Sequence, residues 1–151
     1  MPDRDAELHH KGDESHLLKE IMRTHQAVLN VFSREVGMPA ARLSLMRILA
    51  IGHHEKLGIM QIARRLGIDA AAVTRQVQAM EANGLVERFA DPTDDRRSFV
   101  RLTPEGVRLF QQLHERAHEF EASLTSVVSQ KDIETTVRVL SQLRGALEGM
   151  R

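Results

Sequence analysis

Residues 73–106 read VTRQVQAMEANGLVERFADPTDDRRSFVRLTPEG, and this stretch decides the fold. Its first half continues a helix for which Asp69 is placed to cap the N-terminus and Asn83-Gly84 to end the last turn. The segments VERFA and SFVRL, rich in Val and Phe, then flank the turn-forming DPTDDRR, which is the pattern of a two-stranded hairpin. The stretch therefore predicts one helix followed by a hairpin with a long charged tip.

A shorter helix is predicted directly before this stretch. Its apolar residues recur at helical spacing: Ile59, Ile62, Ala63 and Leu66. Gly67 then makes a tight turn into the second helix, which is the order of a helix-turn-helix unit. Two packed helices without a nucleic-acid role remain the alternative at this point, because short helical hairpins are common. The hairpin that follows favours the DNA-binding interpretation, because two adjacent arginines at its tip, Arg96 and Arg97, are the arrangement that supplies a wing.

The rest of the chain predicts helices. Apolar residues recur at helical spacing over residues 15–37, again from residue 43 to Gly52, and in two further segments within residues 108–151. The stripes on the terminal helices need a partner surface to bury them. Residues 1–14 are polar and are predicted to form a flexible tail. The fold class is therefore mainly α with a small β-hairpin wing.

Composition excludes several classes of protein. The 151 residues carry 21 basic and 21 acidic side chains, and they include no cysteine, Tyr or Trp. A disulfide and a thiolate zinc ligand are therefore excluded, and with five Phe as the aromatic residues the stacking platforms of single-strand binders are largely missing. No segment approaches the about 18 uninterrupted apolar residues of a membrane span, and the N-terminus is too charged for a signal peptide. We expect a cytoplasmic protein with no membrane partner and no cofactor.

The predicted recognition helix has a polar face. Four residues point away from the stripe of Val73, Val77 and Met80: Ala71, Thr74, Arg75 and Gln78. Ala71 and Ala72 allow close approach to double-stranded DNA, and Arg75 can bond both acceptors of a guanine in the major groove. A solvated surface arginine is the alternative for Arg75.

The wing contributes a second group of candidates. Arg96 and Arg97 are predicted to reach an adjacent minor groove, whose negative potential attracts arginine. Asp95 would repel phosphate, so it is interpreted as the partner that orients a nearby arginine. A solvated loop without DNA contacts is the alternative.

Residues 73–106 resemble the recognition helix, wing and following helix start of the MarR family. The family's wing motif matches Asp95, Arg97, Leu102, Thr103 and Gly106. The resemblance implies a winged helix-turn-helix domain over residues 40–107, with residues 15–37 and 108–151 as dimerisation helices. It also implies a homodimer without catalytic activity that binds a pseudo-palindromic operator, usually as a repressor. A small anionic or phenolic effector, bound between the dimerisation helices and the winged unit, would relieve repression. Gly58 departs from the Ser or Thr that many members have before the first helix of the motif.

Four residues are candidates for lining such an effector pocket: Met22, His25, Met46 and Arg47. His25 lies four residues after Ile21 and four before Leu29, so it is predicted to be partly buried beside the apolar face. A histidine at the core edge is the alternative. The methionines are either core residues or the lining of an adaptable pocket.

The segment His114-Glu115-Arg116-Ala117-His118 fits H-E-x-x-H, in which two histidines one turn apart bind zinc and the Glu acts as a base. The pattern needs a third ligand, which does not follow in the sequence, so solvated or dimer-rim histidines are the preferred interpretation. A zinc-dependent hydrolase and a zinc-responsive regulator remain alternatives. A zinc-sensing branch of the resembled family also uses histidines on this helix, but Arg47 stands where a further ligand is expected. Glu20, His16 or His25 could supply one.

Overall fold

The computed structural model describes residues 16–150, so the predicted tail over residues 1–14 lies outside the described residues. The helices are α1 (Leu17–Val36), α2 (Ala40–Ile51), α3 (Ile59–Leu66), α4 (Ala70–Ala82), α5 (Pro104–Thr125) and α6 (Gln130–Glu148). The strands β1 (Val86–Asp91) and β2 (Asp94–Leu102) form one antiparallel hairpin between α4 and α5. This mainly helical architecture with a small hairpin confirms the predicted fold class. Between residues 16 and 150, no helix combines the length and apolar character that a membrane crossing requires.

The boundaries of α3 and α4 follow from local signals. Gly67 adopts a left-handed conformation at φ +68° and ends α3, a position that disfavours residues with a Cβ. Two residues later the Asp69 carboxylate accepts a hydrogen bond from Ala72 N at 2.9 Å, which caps α4. Gly84, at φ +72°, follows α4 and turns the chain into β1. Helix α4 therefore begins and ends where the sequence predicts.

The core lies beneath α4. Val73, Val77 and Met80 are fully buried on its inner face. They share one cluster with buried residues of α2, α3, the hairpin and the segment before α3, including Leu45, Met46, Leu57, Ile62 and Val100. Because this cluster buries one side of α4, the opposite side of the same helix faces solvent.

Helix α5 begins in close contact with the α4–β1 turn. Thr103 Oγ1 accepts a hydrogen bond from Gly106 N at 3.0 Å and donates one to Gly84 O at 2.6 Å. A Cβ at Gly106 would overlap the Leu85 carbonyl oxygen. Thr103 therefore caps the N-terminus of α5. Gly106, which has no Cβ, allows the backbone of α5 to lie directly against the turn between α4 and β1.

The terminal helices leave apolar surface uncovered. Among their described residues, Val36 alone is buried in α1 and none is buried in α6. Helix α1 packs on α5 near its C-terminal end, where the rings of Phe32 and Phe120 meet edge to face at 5.9 Å. His25, predicted to be partly buried, is exposed, because it lies on the part of α1 that extends beyond this contact.

Candidate nucleic-acid interface

The outer face of α4 carries the residues that the sequence predicts to read DNA. Ala71, Arg75 and Gln78 are exposed, whereas Ala72 and Thr74 are half-buried. Thr74 Oγ1 donates a hydrogen bond to Ala70 O at 2.9 Å, so its hydroxyl proton is already used within the helix. The face therefore presents one cation, one amide and small side chains, a combination suited to a major groove.

A hydrogen bond that the sequence does not indicate links α4 to α2. Arg42 Nε donates to Gln76 Oε1 at 3.1 Å, and the contact is partly buried. The two residues lie 34 positions apart, so periodicity within either helix gives no sign of the pairing. Together with the buried inner face, this bond fixes the rotation of α4 about its own axis.

The wing is regular at its base and irregular at its end. Pairing runs from Val86 with Leu102 to Ala90 with Ser98, but the next pair is Asp91 with Asp94. Residues 95–97 consequently have no paired partner on β1 and form a bulge. Arg96 and Arg97 lie in this bulge and are exposed. The long loop predicted over residues 91–97 is thus a two-residue turn followed by a bulged strand.

The wing turn is shaped by Asp91, a residue that sequence reasoning did not select. Its carboxylate accepts hydrogen bonds from Thr93 N at 2.9 Å and from Thr93 Oγ1 at 2.8 Å. These bonds, with smaller contributions from the positive charges of Lys56 and Arg97, hold the pKa of Asp91 below its usual 3.8. An Asp followed two residues later by Thr is a signal for such a turn and could have identified it.

The prediction that Asp95 orients a wing arginine does not match the observed contacts. Asp94, instead, lies beside Arg97, with 3.9 Å between Asp94 Oδ2 and Arg97 Nε. Asp94 also accepts a hydrogen bond from Arg96 N at 3.0 Å. The bulge accounts for the exchange of Asp95 for Asp94 in this contact, because it bends the strand and brings the Asp94 carboxylate towards Arg96 and Arg97.

The base of the wing is braced by a cross-strand pair. Arg101 Nε donates to Glu87 Oε1 at 2.6 Å, and the Arg101 guanidinium lies 4.6 Å from the centroid of the Phe89 ring. Arg101 is therefore held by two partners on β1, in contrast to the arginines in the bulge.

A second region of interest is a cavity of about 410 Å³ between α1, α2 and α5. Its polar lining consists of Arg47, His114, His118 and Glu121, and its apolar lining includes Phe32 and Phe120. Of the four residues predicted to line an effector pocket, Arg47 alone lines this cavity.

The other three predicted pocket residues lie elsewhere in the chain. Met46 is fully buried in the core, and Met22 is 71% exposed on α1. His25 is also exposed on α1. Spacing along α1 and α2 identifies candidate faces, but the packing of α5 against both helices decides which side chains share a cavity.

His114 and His118 contact each other in this cavity. Their Nε2 atoms are 3.1 Å apart, and the Nδ1 atom of the half-buried His114 has no hydrogen-bond partner among the described residues. Residues 16–150 contain no group of three His, Cys, Asp or Glu residues placed to hold a metal ion. Neither His16, His25 nor Glu20 is thus brought to the pair as a third ligand, and nothing supports the zinc-dependent hydrolase.

Comparison with known proteins agrees with this geometry. The model of the MarR family matches residues 40–98, which run from the start of α2 into β2. An uncharacterised HTH-type transcriptional regulator of Bacillus subtilis, YdgJ, is 25% identical over 139 residues, covering 92% of this chain and 84% of that protein.

Two solved structures share the fold. The transcriptional regulator PcaV of Streptomyces coelicolor, in complex with its natural ligand, has a TM-score of 0.69 at 22% identity and covers 97% of this chain and 99% of its own. A mutant of MepR from S. aureus, bound to an oligodeoxyribonucleotide, has a TM-score of 0.58 at 21% identity, covering 87% and 95%. Residues 40–98 of this chain thus match the MarR family, and the chain as a whole has the winged helix fold of these solved structures.

Proposed function

We propose that this protein is a sequence-specific repressor that binds duplex DNA as a homodimer and releases it when a small acidic or phenolic ligand binds. The observation that carries the proposal is the outer face of α4. There Arg75 and Gln78 are exposed on a helix whose other side is locked into the core. A helix held in this way can present fixed donors to base edges, and Arg75 can bond the two acceptors of a guanine.

The wing supports DNA binding at a second position. Arg96 and Arg97 are exposed beyond the regular part of the hairpin, at the end farthest from the core. We assign them to an adjacent minor groove, where arginine is attracted by the negative potential. The related fold of MepR bound to an oligodeoxyribonucleotide is consistent with this use of the domain.

The homodimer is supported by the apolar surface of the terminal helices. Val137, Leu140 and Leu147 of α6 are 61%, 43% and 59% exposed in the single chain, as is Leu18 of α1 at 68%. Apolar surface of this extent is disfavoured in water unless a partner covers it. A two-fold dimer would place the two α4 helices in successive major grooves, about 34 to 36 Å apart.

The ligand response is supported by the cavity between α1, α2 and α5. Arg47 provides a permanent positive charge and the histidine pair provides hydrogen-bonding nitrogens, above an apolar floor that includes Phe32 and Phe120. This lining suits a small aromatic or aliphatic acid. Because the cavity joins α1 and α5 to α2, a bound ligand would alter how the winged unit sits on the terminal helices. PcaV, which has this fold, is described with its natural ligand bound.

The first test is a titration of the purified protein against the DNA upstream of its own coding region, at two salt concentrations. Protection of a pseudo-palindrome, with affinity that falls steeply as salt rises, is expected. Equal affinity for the upstream DNA and for an unrelated duplex would contradict a sequence-specific regulator. Addition of small aromatic acids such as salicylate to the complex then tests the ligand response, with Arg47→Leu as the variant expected to lose it.

A further inference from the structure

A groove of about 390 Å³ separates α3 from the bulged end of the wing. Three guanidinium groups line it: Arg64 from α3, and Arg96 and Arg97 from β2. The remaining lining residues are uncharged, so that none of them contributes a carboxylate. The groove is therefore a concentration of positive charge on a chain whose formal net charge is zero.

The arginines of this groove differ from their neighbours in the partners they have. Within residues 16–150, no ion pair or hydrogen bond engages the side chain of Arg64 or of Arg96. The adjacent Arg65, in contrast, is paired with Glu55 at 2.7 Å between Nη2 and Oε2. Among the same described residues, the one ion-pair partner of Arg97 is the exposed carboxylate of Asp94, 3.9 Å away, a contact of little energetic value.

The width of the groove is fixed by the backbone. Val100 N donates a hydrogen bond to Leu57 O at 2.8 Å, which joins β2 to the residue just before Gly58 and α3. Gly58 N in turn donates to Gln61 Oε1 at 2.9 Å, which secures the first turn of α3. Arg64 and the wing arginines therefore face each other across a gap that the fold sets in advance.

We propose that this groove binds one phosphodiester group of the DNA backbone, at the edge of the minor groove that the wing enters, held between Arg64 on one side and Arg96 and Arg97 on the other. The proposal rests on the DNA-binding function above and adds Arg64 to it. The first helix of a helix-turn-helix unit crosses the backbone while the second enters the major groove. The groove lies between that first helix and the wing, where a strand passing from major to minor groove would run. Guanidinium groups bond phosphate oxygens in pairs, which suits them to this ligand.

The experiment compares two neighbouring substitutions, Arg64→Gln and Arg65→Gln. Arg64→Gln is expected to weaken binding to the operator and to an unrelated duplex by the same factor, about tenfold. It is also expected to reduce the slope of log K against log salt concentration by about 0.9 per subunit. Arg65→Gln removes the same charge from the same helix but not from the groove, so it should leave the slope close to that of the unaltered protein. Thermal unfolding of both variants checks that the fold is retained.

A scan of the operator with single methylphosphonates then identifies the phosphate. Each substitution neutralises one phosphodiester group, and one position in each half-site should weaken binding of the unaltered protein clearly more than binding of Arg64→Gln, which retains only the two wing arginines at that phosphate. Two results would each overturn the proposal. The first is a salt slope of Arg64→Gln equal to that of the unaltered protein. The second is a scan in which every methylphosphonate reduces the DNA affinity of Arg64→Gln as much as it reduces that of the unaltered protein. Inorganic phosphate that binds the DNA-free protein through Arg64, without such a position in the DNA, would also overturn it and indicate a free-anion site.

The proposed function and the phosphate site can be contradicted by different results. Absence of specific DNA binding by the unaltered protein contradicts the regulator itself. Specific binding that is unaffected by Arg64→Gln contradicts only the phosphate site.

Discussion

The Nε2 atoms of His114 and His118 lie 3.1 Å apart across one turn of α5, inside the cavity that Arg47 and Glu121 also line. A hydrogen bond at this distance needs one N–H group and one free lone pair, so the two rings must differ in the state of these nitrogens. Protonation of both rings would set two N–H groups against each other. The two imidazoles therefore form a pair within the cavity in which one Nε2 donates and the other accepts.

Zinc is expected to have no effect on DNA binding at equimolar concentration. Zinc prefers four ligands in a tetrahedron, and the described residues bring only the two imidazoles together without a third His, Cys, Asp or Glu. The measurement is operator affinity with added zinc and with a chelator. Tighter binding with zinc, lost in both His114→Gln and His118→Gln, would establish the zinc-responsive regulator instead.

Arg75 and Arg97 are expected to make different contributions to DNA binding. Arg75→Ala should reduce affinity for the operator more than for an unrelated duplex, because a bidentate contact with guanine carries about 1 to 3 kcal/mol of discrimination. Arg97→Ala should weaken both complexes alike and lower the dependence on salt. Parallel titrations of both duplexes test this division, with Arg108→Ala as a control, because Arg108 is paired with Glu105 at 2.6 Å. An equal loss of selectivity in the two variants would contradict it.

Gly106→Ala is expected to destabilise the fold. The added Cβ would overlap the Leu85 carbonyl oxygen, so α5 must move away from the winged unit at a cost of about 1 to 3 kcal/mol. Gly145→Ala is the matched control, since nothing lies within 4 Å of a Cβ at this position. Alanine also has a higher helix propensity than glycine within a helix such as α6. Urea unfolding of both variants measures the difference, and a Gly106→Ala variant as stable as the control would show that the contact can relax.

Acid is expected to loosen the wing turn. Because the pKa of Asp91 is lower in the folded protein than its usual 3.8, the ionised carboxylate stabilises the folded state. This stabilisation is fully present above pH 3.8 and is lost as the pH falls through the pKa that Asp91 has in the folded protein. Amide exchange at Thr93, measured by NMR from pH 6 downward, should show protection that declines below 3.8 in the unaltered protein. In Asp91→Asn the protection should be weaker and independent of pH in this range. A pH-dependent decline that persists in the variant would assign the effect to another group.

Leu140→Glu is expected to dissociate the homodimer. A carboxylate on the apolar face of α6 would have to be buried without a partner when two subunits meet, which is strongly unfavourable. Thr136→Glu is the control, because Thr136 is polar and exposed on the same helix. Sedimentation velocity of the three proteins distinguishes dimer from monomer. A dimer that persists in Leu140→Glu would place the interface elsewhere.

The sequence by itself determined the local features of this protein. Asp69 and Gly67 set the boundaries of α4 and α3, and the stripe of Val73, Val77 and Met80 set which side of α4 faces inward. Each of these signals acts within one or two turns of helix, so neighbouring residues are enough to read it. The outward position of Arg75 follows directly from the stripe.

Only the tertiary structure decided which distant residues meet. Because of the bulge in β2, Asp94 and not Asp95 lies beside Arg97. The packing of α5 on α1 and α2 places His114 in the same cavity as Arg47. The bridge between Leu57 and Val100 places Arg64 opposite the wing. These partners lie up to about 70 positions apart in the chain and on different elements. Their meeting depends on the register of a hairpin and on the angles at which helices pack, neither of which the periodicity of a single element records.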